Sequence, residues 1–181
     1  QLLYSQSEHF RVENNHLRKM LSFSSITPLS LLPANVINRH SFMLQSVIID
    51  VGEKDNIKKN QPVIDMVGLM GKTISVGDIA TKVQLITDKN YRVSIRVGKE
   101  KSLGIFIPTH GKYGVLEGVR KSMNLNKGEI AYTSGISDIY PANIPVARVI
   151  DVNSNTDRPF QDVNVEILAD FQNVNYIFVV Q

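Results

Sequence analysis

The sequence predicts an all-β protein in which two small β-barrels follow an N-terminal α-helix. Three observations support this fold class. The hydrophobic period changes from 3.6 residues to 2 after about residue 24. About eleven short apolar segments then recur at spacings of roughly ten residues, with turn sequences between them. Residues 57–64 and 125–132 share one pattern, a basic turn before a short strand, which indicates two related barrels.

The composition is that of a packed globular chain. Its 181 residues, 43% of them hydrophobic, suffice for one large domain or two small ones. The absence of cysteine excludes disulfides and thiol nucleophiles. The net charge of +3 arises from interleaved acidic and basic residues, and no apolar run reaches the roughly 20 residues that span a bilayer. Because the basic residues lack interleaved stacking aromatics, we expect no nucleic-acid partner.

Residues 1–25 form the predicted helix. They contain no glycine or proline, and large apolar side chains recur every seven residues along them. The positions between these side chains are polar, so half of a heptad seam is present. The end of a coiled coil and a lone helix packed on the body therefore both remain open. We predict self-association through Leu3, Phe10, Leu17 and Leu21.

The rest of the chain divides into a linker and two barrels. Pro28 must end the helix, and residues 26–37 are predicted to be a linker. The first barrel is predicted over residues 38–100 and the second over residues 101–155. The last strands, within residues 156–181, are predicted to return and complete the first barrel.

Two stretches support the strand prediction most clearly. Residues 91–97 alternate strictly between apolar and polar side chains, which predicts a strand with one buried and one solvated face. Residues 130–149 read as a β-hairpin whose loop is bent at Pro141 and Asn143. The architecture after the helix is therefore predicted to be built from hairpins.

Apolar side chains in predicted bends are the candidate contacts with a partner protein. Bends are ordinarily polar, but two such side chains lie in residues 68–71 and three lie in the loop of the central hairpin. They either fold back to close a barrel end or form an exposed contact surface. We predict partner binding at Leu69, Met70, Ile136, Ile139 and Tyr140.

Metal and cofactor sites are not expected. His9 and His16 share one helix face, but solvated polar positions explain them better than a metal site does. Residues 68–72 have glycines spaced too closely for a phosphate-binding loop, and no helix follows them.

Six segments in sequence carry a family resemblance over nearly the whole chain. They are residues 13–21, 50–63, 68–72, 81–88, 133–149 and 169–180. Together they resemble the bacterial rod shape-determining MreC family. The chain departs from the family at Ser137, Asp138, Asn143 and Ala147, where the family usually has glycine. Asparagine and aspartate tolerate the left-handed backbone that such positions favour.

The resemblance implies a single-pass protein of the bacterial inner membrane. Its periplasmic part would be a coiled coil and two barrels similar to the halves of chymotrypsin-like proteases. This chain is then expected to be the end of that coiled coil with both barrels, and to contact the membrane only through a spanning helix that lies outside it. The implied localisation is the periplasmic face of the inner membrane.

The resemblance also implies a non-enzymatic scaffold of the cell-elongation machinery, which controls cell shape. The implied partners are further copies of the chain, as a homodimer or higher assembly, and the elongation-specific penicillin-binding transpeptidase, which the scaffold activates. MreD, RodA and MreB are implied members of the same complex.

The likeness to protease barrels raises a hydrolase as the alternative function. Ser134 lies in a turn, and serine catalysis would need a histidine within hydrogen-bond reach of it. His40 and His110 are the candidates outside the helix, but neither lies in a catalytic signature. A turn-capping role for Ser134 is therefore favoured. A nucleic-acid-binding barrel is the weaker alternative.

Overall fold

The computed structural model describes residues 2–38, 45–154, 157–172 and 174–181. In these residues a helix, α1 (Leu2–Ile26), precedes twelve strands and one 3₁₀ turn at Glu53–Asp55. The strands are β1 Leu31–Asn38, β2 Ser46–Ile49, β3 Pro62–Ile64, β4 Leu69–Val76, β5 Thr81–Leu85, β6 Val93–Val97, β7 Ser102–Pro108, β8 Tyr113–Glu117, β9 Ile130–Thr133, β10 Pro145–Asn153, β11 Asp162–Ile167 and β12 Tyr176–Val180.

The strands form two closed antiparallel barrels of six strands each. The strand order is β1-β12-β3-β4-β5-β2 in the first barrel and β10-β11-β8-β7-β6-β9 in the second. In the described residues every strand therefore has a neighbour on each side for at least part of its length, which limits the recruitment of another chain by β-pairing. The prediction of two small barrels after a helix is confirmed.

Alternating side chains build the core of each barrel. In β6, Val93 and Ile95 are buried inside the second barrel while Arg96 faces solvent. In β5, Val83 is buried inside the first barrel while Lys82 faces solvent. Contacts with partners must therefore come from the outer faces, the loops or the helix.

The predicted linker over residues 26–37 is wrong for most of its length, because β1 begins at Leu31. β1 pairs with β12 on one side and with β2 on the other. Its pairing with β2 involves only Val36 and Asn38, so Pro33 lies where β1 has a single neighbour. A proline without an N–H is tolerated at such a position.

The predicted division of strands between the barrels also needs correction. β6 falls within residues 38–100 and β11 within residues 156–181, yet both belong to the second barrel. The chain crosses to the second barrel after β5 and returns only for β12, which lies between β1 and β3. Alternation identifies a strand but not its neighbours, so the crossing point carries no local signal.

The helix packs on the outer face of the first barrel through one side. The ring of Phe23 packs against Phe178 of β12, with centroids 5.7 Å apart. Tyr176 of β12 donates a hydrogen bond from its hydroxyl to Glu13 Oε1 at 2.6 Å, and Met20 is buried between these contacts. These contacts fix which side of α1 faces the barrel.

The two barrels meet where the chain returns from the second to the first. Asp65, in the β3–β4 loop, accepts the backbone N–H of Asp170 at 2.8 Å. It also accepts the N–H groups of Val67 and Gly68, each at 2.7 Å. Burial raises the pKa of the Asp65 carboxyl above its ordinary value, against the effect of these hydrogen bonds. A Cβ on Gly68 would lie 2.7 Å from the carbonyl oxygen of Pro145 in β10, so the backbones are in close contact.

Candidate interaction surfaces

The first candidate surface is an exposed apolar stripe on α1, formed by Phe10, Leu17 and Leu21 and here called the helix stripe. These side chains are 65%, 42% and 72% exposed. At 3.6 residues per turn, the helix stripe lies about 100° around the helix axis from the side that packs on the barrel. The side chain of Leu3, the fourth predicted member, lies outside the described residues. The helix stripe is therefore accessible to a second copy, as its predicted role requires.

The predicted partner surface at Leu69 and Met70 is wrong, because these side chains are 0% and 1% exposed. The bend is residues 66–68, and β4 begins at Leu69 itself. The carbonyl of Met70 accepts a hydrogen bond from the N–H of Ile86 at 2.7 Å, which holds the start of β4 in place. Neither side chain lies on the exposed outer surface of the barrel.

Tyr140 is also buried, and the prediction of partner binding at this residue is wrong too. Its hydroxyl donates to the hydroxyl of Tyr91 at 2.7 Å, inside the second barrel. Burial raises the pKa of Tyr140 to about 12 and that of Tyr91 well above 10. This pair anchors the loop of the central hairpin to the residues before β6.

The buried pair predicts a loss of stability at alkaline pH. An unfolded tyrosine ionises near pH 10, whereas folded Tyr140 keeps its proton to about pH 12, so the unfolded state binds fewer protons between these values. The stability that Tyr140 contributes below pH 10 is thus expected to fall by roughly 2–3 kcal/mol as the pH rises to 12, and Tyr91, whose pKa is also raised, adds to this loss. Urea unfolding at pH values from 8 to 12 measures this change in the free energy of unfolding.

The Tyr91→Phe/Tyr140→Phe double variant is the control for this alkaline effect. It should lose less stability than the unaltered chain over the same pH range. At pH 8 it should be more stable than Tyr140→Phe alone, which leaves the buried hydroxyl of Tyr91 without its partner. Equal alkaline losses in the unaltered chain and the double variant would contradict the assignment.

The rest of the hairpin loop is ordered by Thr133. Its hydroxyl donates to the carbonyl of Pro141 at 2.5 Å and accepts the N–H of Ile144 at 2.9 Å. Asn143 has a φ of 71°, so asparagine takes the left-handed conformation at this position. Ile139 is half-buried against the core, whereas Ile136 is exposed at the loop tip. Of the five predicted partner contacts, Ile136 is the most accessible.

Ile136 borders a second apolar surface, which sequence reasoning missed. Its other members are Leu103 and Ile105 on β7 and Tyr132 on β9, and the four residues are here called the outer patch. The exposed fraction of the side chain is 48% for Leu103, 46% for Ile105, 40% for Tyr132 and 61% for Ile136. The signal was present in residues 103–107, where apolar side chains occupy positions on both faces of a strand.

Strand β6 joins the members of the outer patch. Arg96 pairs with Leu103 on one side and with Tyr132 on the other, so its side chain emerges between them. Ser94, two residues earlier, pairs with Ile105. Ser94 Oγ also accepts a hydrogen bond from Ser134 Oγ at 3.0 Å, next to the hairpin loop. The outer patch thus spans β7, β9 and the loop tip, with the polar side chains of Ser94 and Arg96 on β6 between them.

Ser134 occupies a turn-capping position. Besides its bond to Ser94, its hydroxyl accepts the N–H of Ile136 at 3.2 Å. Within the described ranges of the chain, no histidine hydrogen-bonds to this hydroxyl. His110 packs against Tyr113, with ring centroids 5.4 Å apart, and His40 lies outside the described residues. The geometry supports capping rather than nucleophilic activation.

Two further properties concern the residues that the structure describes. They contain no group of three or more acidic or histidine side chains placed to hold a metal ion. His16 instead packs against Tyr176 of the first barrel, with ring centroids 5.8 Å apart. No helix in the same residues combines the length and the apolarity needed to cross a bilayer.

Comparison with known proteins identifies relatives over nearly the whole chain. Residues 36–181 match the family model described as "Rod shape-determining protein MreC, barrel core". The cell shape-determining protein MreC of Listeria monocytogenes is 30% identical over 186 residues, which cover 99% of this chain and 63% of the relative. That of Haemophilus influenzae is 29% identical over 174 residues, which cover 95% of this chain and 50% of the relative. The chain therefore spans between half and two thirds of these relatives' length.

Solved structures agree with the sequence relatives. An MreC structure superposes with a TM-score of 0.88 at 26% identity, covering 95% of this chain and 99% of that one. The major periplasmic domain of the cell shape-determining filament MreC superposes with a TM-score of 0.71 at 25% identity, covering 83% and 94%. MreC from Helicobacter pylori, solved in complex with the penicillin-binding protein PBP2, has the same fold, with a TM-score of 0.66 at 15% identity and coverage of 84% and 98%. On these grounds the resemblance found in the sequence is confirmed, and the chain belongs to the rod shape-determining protein MreC family of cell-shape proteins.

Proposed function

We propose that this chain is a non-enzymatic periplasmic scaffold of the cell-elongation machinery. It self-associates through the helix stripe and binds the elongation-specific penicillin-binding transpeptidase through the outer patch. MreD, RodA and MreB are its partners in the same complex. Its contact with the inner membrane is through a spanning helix outside this chain.

The observation that carries the proposal is the position of the outer patch. A closed barrel satisfies its own backbone hydrogen bonds and hides its own core, so it gains nothing from four large apolar side chains on its outer face. Clustered exposed apolar side chains of this kind mark protein contact sites. Arg96, which lies between Leu103 and Tyr132, is the type of residue that interfaces favour.

A solved relative supports the choice of partner. The MreC chain of Helicobacter pylori shares this fold and was solved bound to PBP2, a penicillin-binding protein. Activation requires no catalytic group on the scaffold. A scaffold that binds the active conformer of an enzyme more tightly than the inactive one shifts their equilibrium by that difference in affinity.

The test is the affinity of the purified chain for the immobilised periplasmic region of the transpeptidase, measured by biolayer interferometry. Leu103→Asp/Ile105→Asp should weaken binding at least about 100-fold, because it places two charges at the centre of the contact. The matched control is Ile37→Asp/Ile79→Asp, which places the same charges at exposed apolar positions of the first barrel. The control should bind within about twofold of the unaltered chain.

Thermal unfolding separates loss of contact from loss of fold. Both double variants should unfold within a few degrees of the unaltered chain, because all four positions are exposed. Binding by Leu103→Asp/Ile105→Asp at the affinity of the unaltered chain would remove the outer patch from the contact. If both double variants bound the transpeptidase equally weakly, the outer patch would likewise be excluded as the specific contact.

A further inference from the structure

A cavity of about 720 Å³ lies between α1 and the first barrel. It is here called the helix–barrel groove. One wall is helical and carries His9, Val12, Glu13 and His16. The opposite wall belongs to the barrel and its return loop, and carries Asp65, Met66, Val67 and Asp170. The volume lies in the range of ordinary ligand-binding clefts.

The floor of the helix–barrel groove is apolar and adaptable. Met20 of the helix and Met70 of β4 are buried there beside Phe178, and Met66 lines the wall above them. Methionine side chains repack easily around different apolar partners. Val12 and Val67 extend the apolar surface to opposite rims, where each is more than half exposed.

The charge of the helix–barrel groove has one sign. Glu13, Asp65 and Asp170 line it, and none of the described residues around it is lysine or arginine. This contrasts with the chain as a whole, whose net charge is +3. Burial raises the pKa of the Asp65 carboxyl, and the negative charge of Asp170 raises it further. The two carboxylates are therefore close enough to repel each other.

We propose that the helix–barrel groove is a docking site for a cationic, apolar segment of a partner protein. Apolar side chains of the segment pack on the methionine floor, and its lysine or arginine side chains lie against Glu13 and Asp170. Complementary charge would speed docking and select against acidic segments. The outer patch lies on the second barrel, so its contact leaves the site open, and none of the three side chains of the helix stripe lines it.

Methionine methyl NMR tests the proposal on the intact chain without the transpeptidase. The chain has five methionines, of which Met20, Met66 and Met70 line the helix–barrel groove and Met123 lies in the connection between β8 and β9. The probe is a short amphipathic peptide of leucine and lysine. Its titration should shift the three groove methyl signals in a saturable manner and leave the Met123 signal unchanged.

Matched variants and a matched peptide complete the experiment. The same peptide with glutamate in place of lysine should bind at least about tenfold more weakly, and Glu13→Gln/Asp170→Asn should weaken the lysine peptide by a similar factor. Asp151→Asn, an exposed acid of the second barrel, should leave the affinity unchanged. Val67→Arg should block binding by adding a cation at the rim.

Several outcomes would overturn the proposal. Shifts spread over all methionines, or equal affinity for both peptides, would mean nonspecific adsorption. Unchanged affinity in both Glu13→Gln/Asp170→Asn and Val67→Arg would place the peptide elsewhere. Shifts of the three groove methyl signals that grow with protein concentration alone would assign the helix–barrel groove to a second copy of the chain.

Discussion

Phe10→Asp/Leu17→Asp is expected to convert the self-associated chain into monomers. Each large apolar side chain of the helix stripe gains roughly 1.5–3 kcal/mol when a second copy buries it. The double variant loses that gain twice and would also have to bury two carboxylates. Self-association should weaken by at least about 100-fold. Light scattering coupled to size exclusion measures the mass directly.

The matched control places the same charges on a solvated side of α1. Asn15→Asp/Ser22→Asp has the same spacing of seven residues at exposed positions away from both the helix stripe and the barrel. This control variant should form a self-associated particle of the same mass as the unaltered chain does. An unchanged mass for Phe10→Asp/Leu17→Asp would exclude the helix stripe from self-association.

Gly71→Val is expected to disrupt the first barrel. A Cβ at Gly71 would lie 2.0 Å from the carbonyl oxygen of Gln84 and 3.1 Å from the Cα of Leu85, both in β5. These are backbone atoms of a paired strand, so relief requires β4 and β5 to separate. The cost should be about 3 kcal/mol or more, a large part of the stability of an ordinary domain. Urea unfolding measures it.

Gly111→Asn is the control for Gly71→Val. Gly111 has a φ of 56°, and no atom lies within 4 Å of the Cβ position. Asparagine tolerates this conformation, so the free energy of unfolding of Gly111→Asn should differ from that of the unaltered chain by less than about 1 kcal/mol. Unfolding of Gly71→Val at the urea concentration of the unaltered chain would show that β4 and β5 are not paired as described.

The fold class could be predicted because helix and strand periodicities are local properties. The 3.6-residue period of the helix and the strict alternation of residues 91–97 survive in the structure as α1 and β6. Pro28 before β1 and Pro33 within it obscure that strand in the sequence, because proline ordinarily marks a linker. The assignment of β6 and β11 to the second barrel depends on long-range pairing, which no local pattern reveals.

The contact surfaces were predicted less well than the fold. The glycines on either side of Leu69 and Met70 predict a bend there, but the bend ends at Gly68 and β4 begins at Leu69. Tyr140 is held by Tyr91, a residue 49 positions away in the sequence. The helix–barrel groove likewise combines side chains from α1, β1, β4, β12 and two loops, so only their folded arrangement reveals it.

The most direct test of the scaffold function is a pull-down from detergent-solubilised membranes of the native bacterium. The tagged chain is the bait, a fluorescent β-lactam reveals bound penicillin-binding proteins, and a serine-directed fluorophosphonate reveals any reactive serine in the bait. The proposed function predicts a β-lactam-labelled transpeptidase with the unaltered chain, little with Leu103→Asp/Ile105→Asp, and no fluorophosphonate label on the chain. Fluorophosphonate labelling at Ser134 without a captured transpeptidase would contradict it.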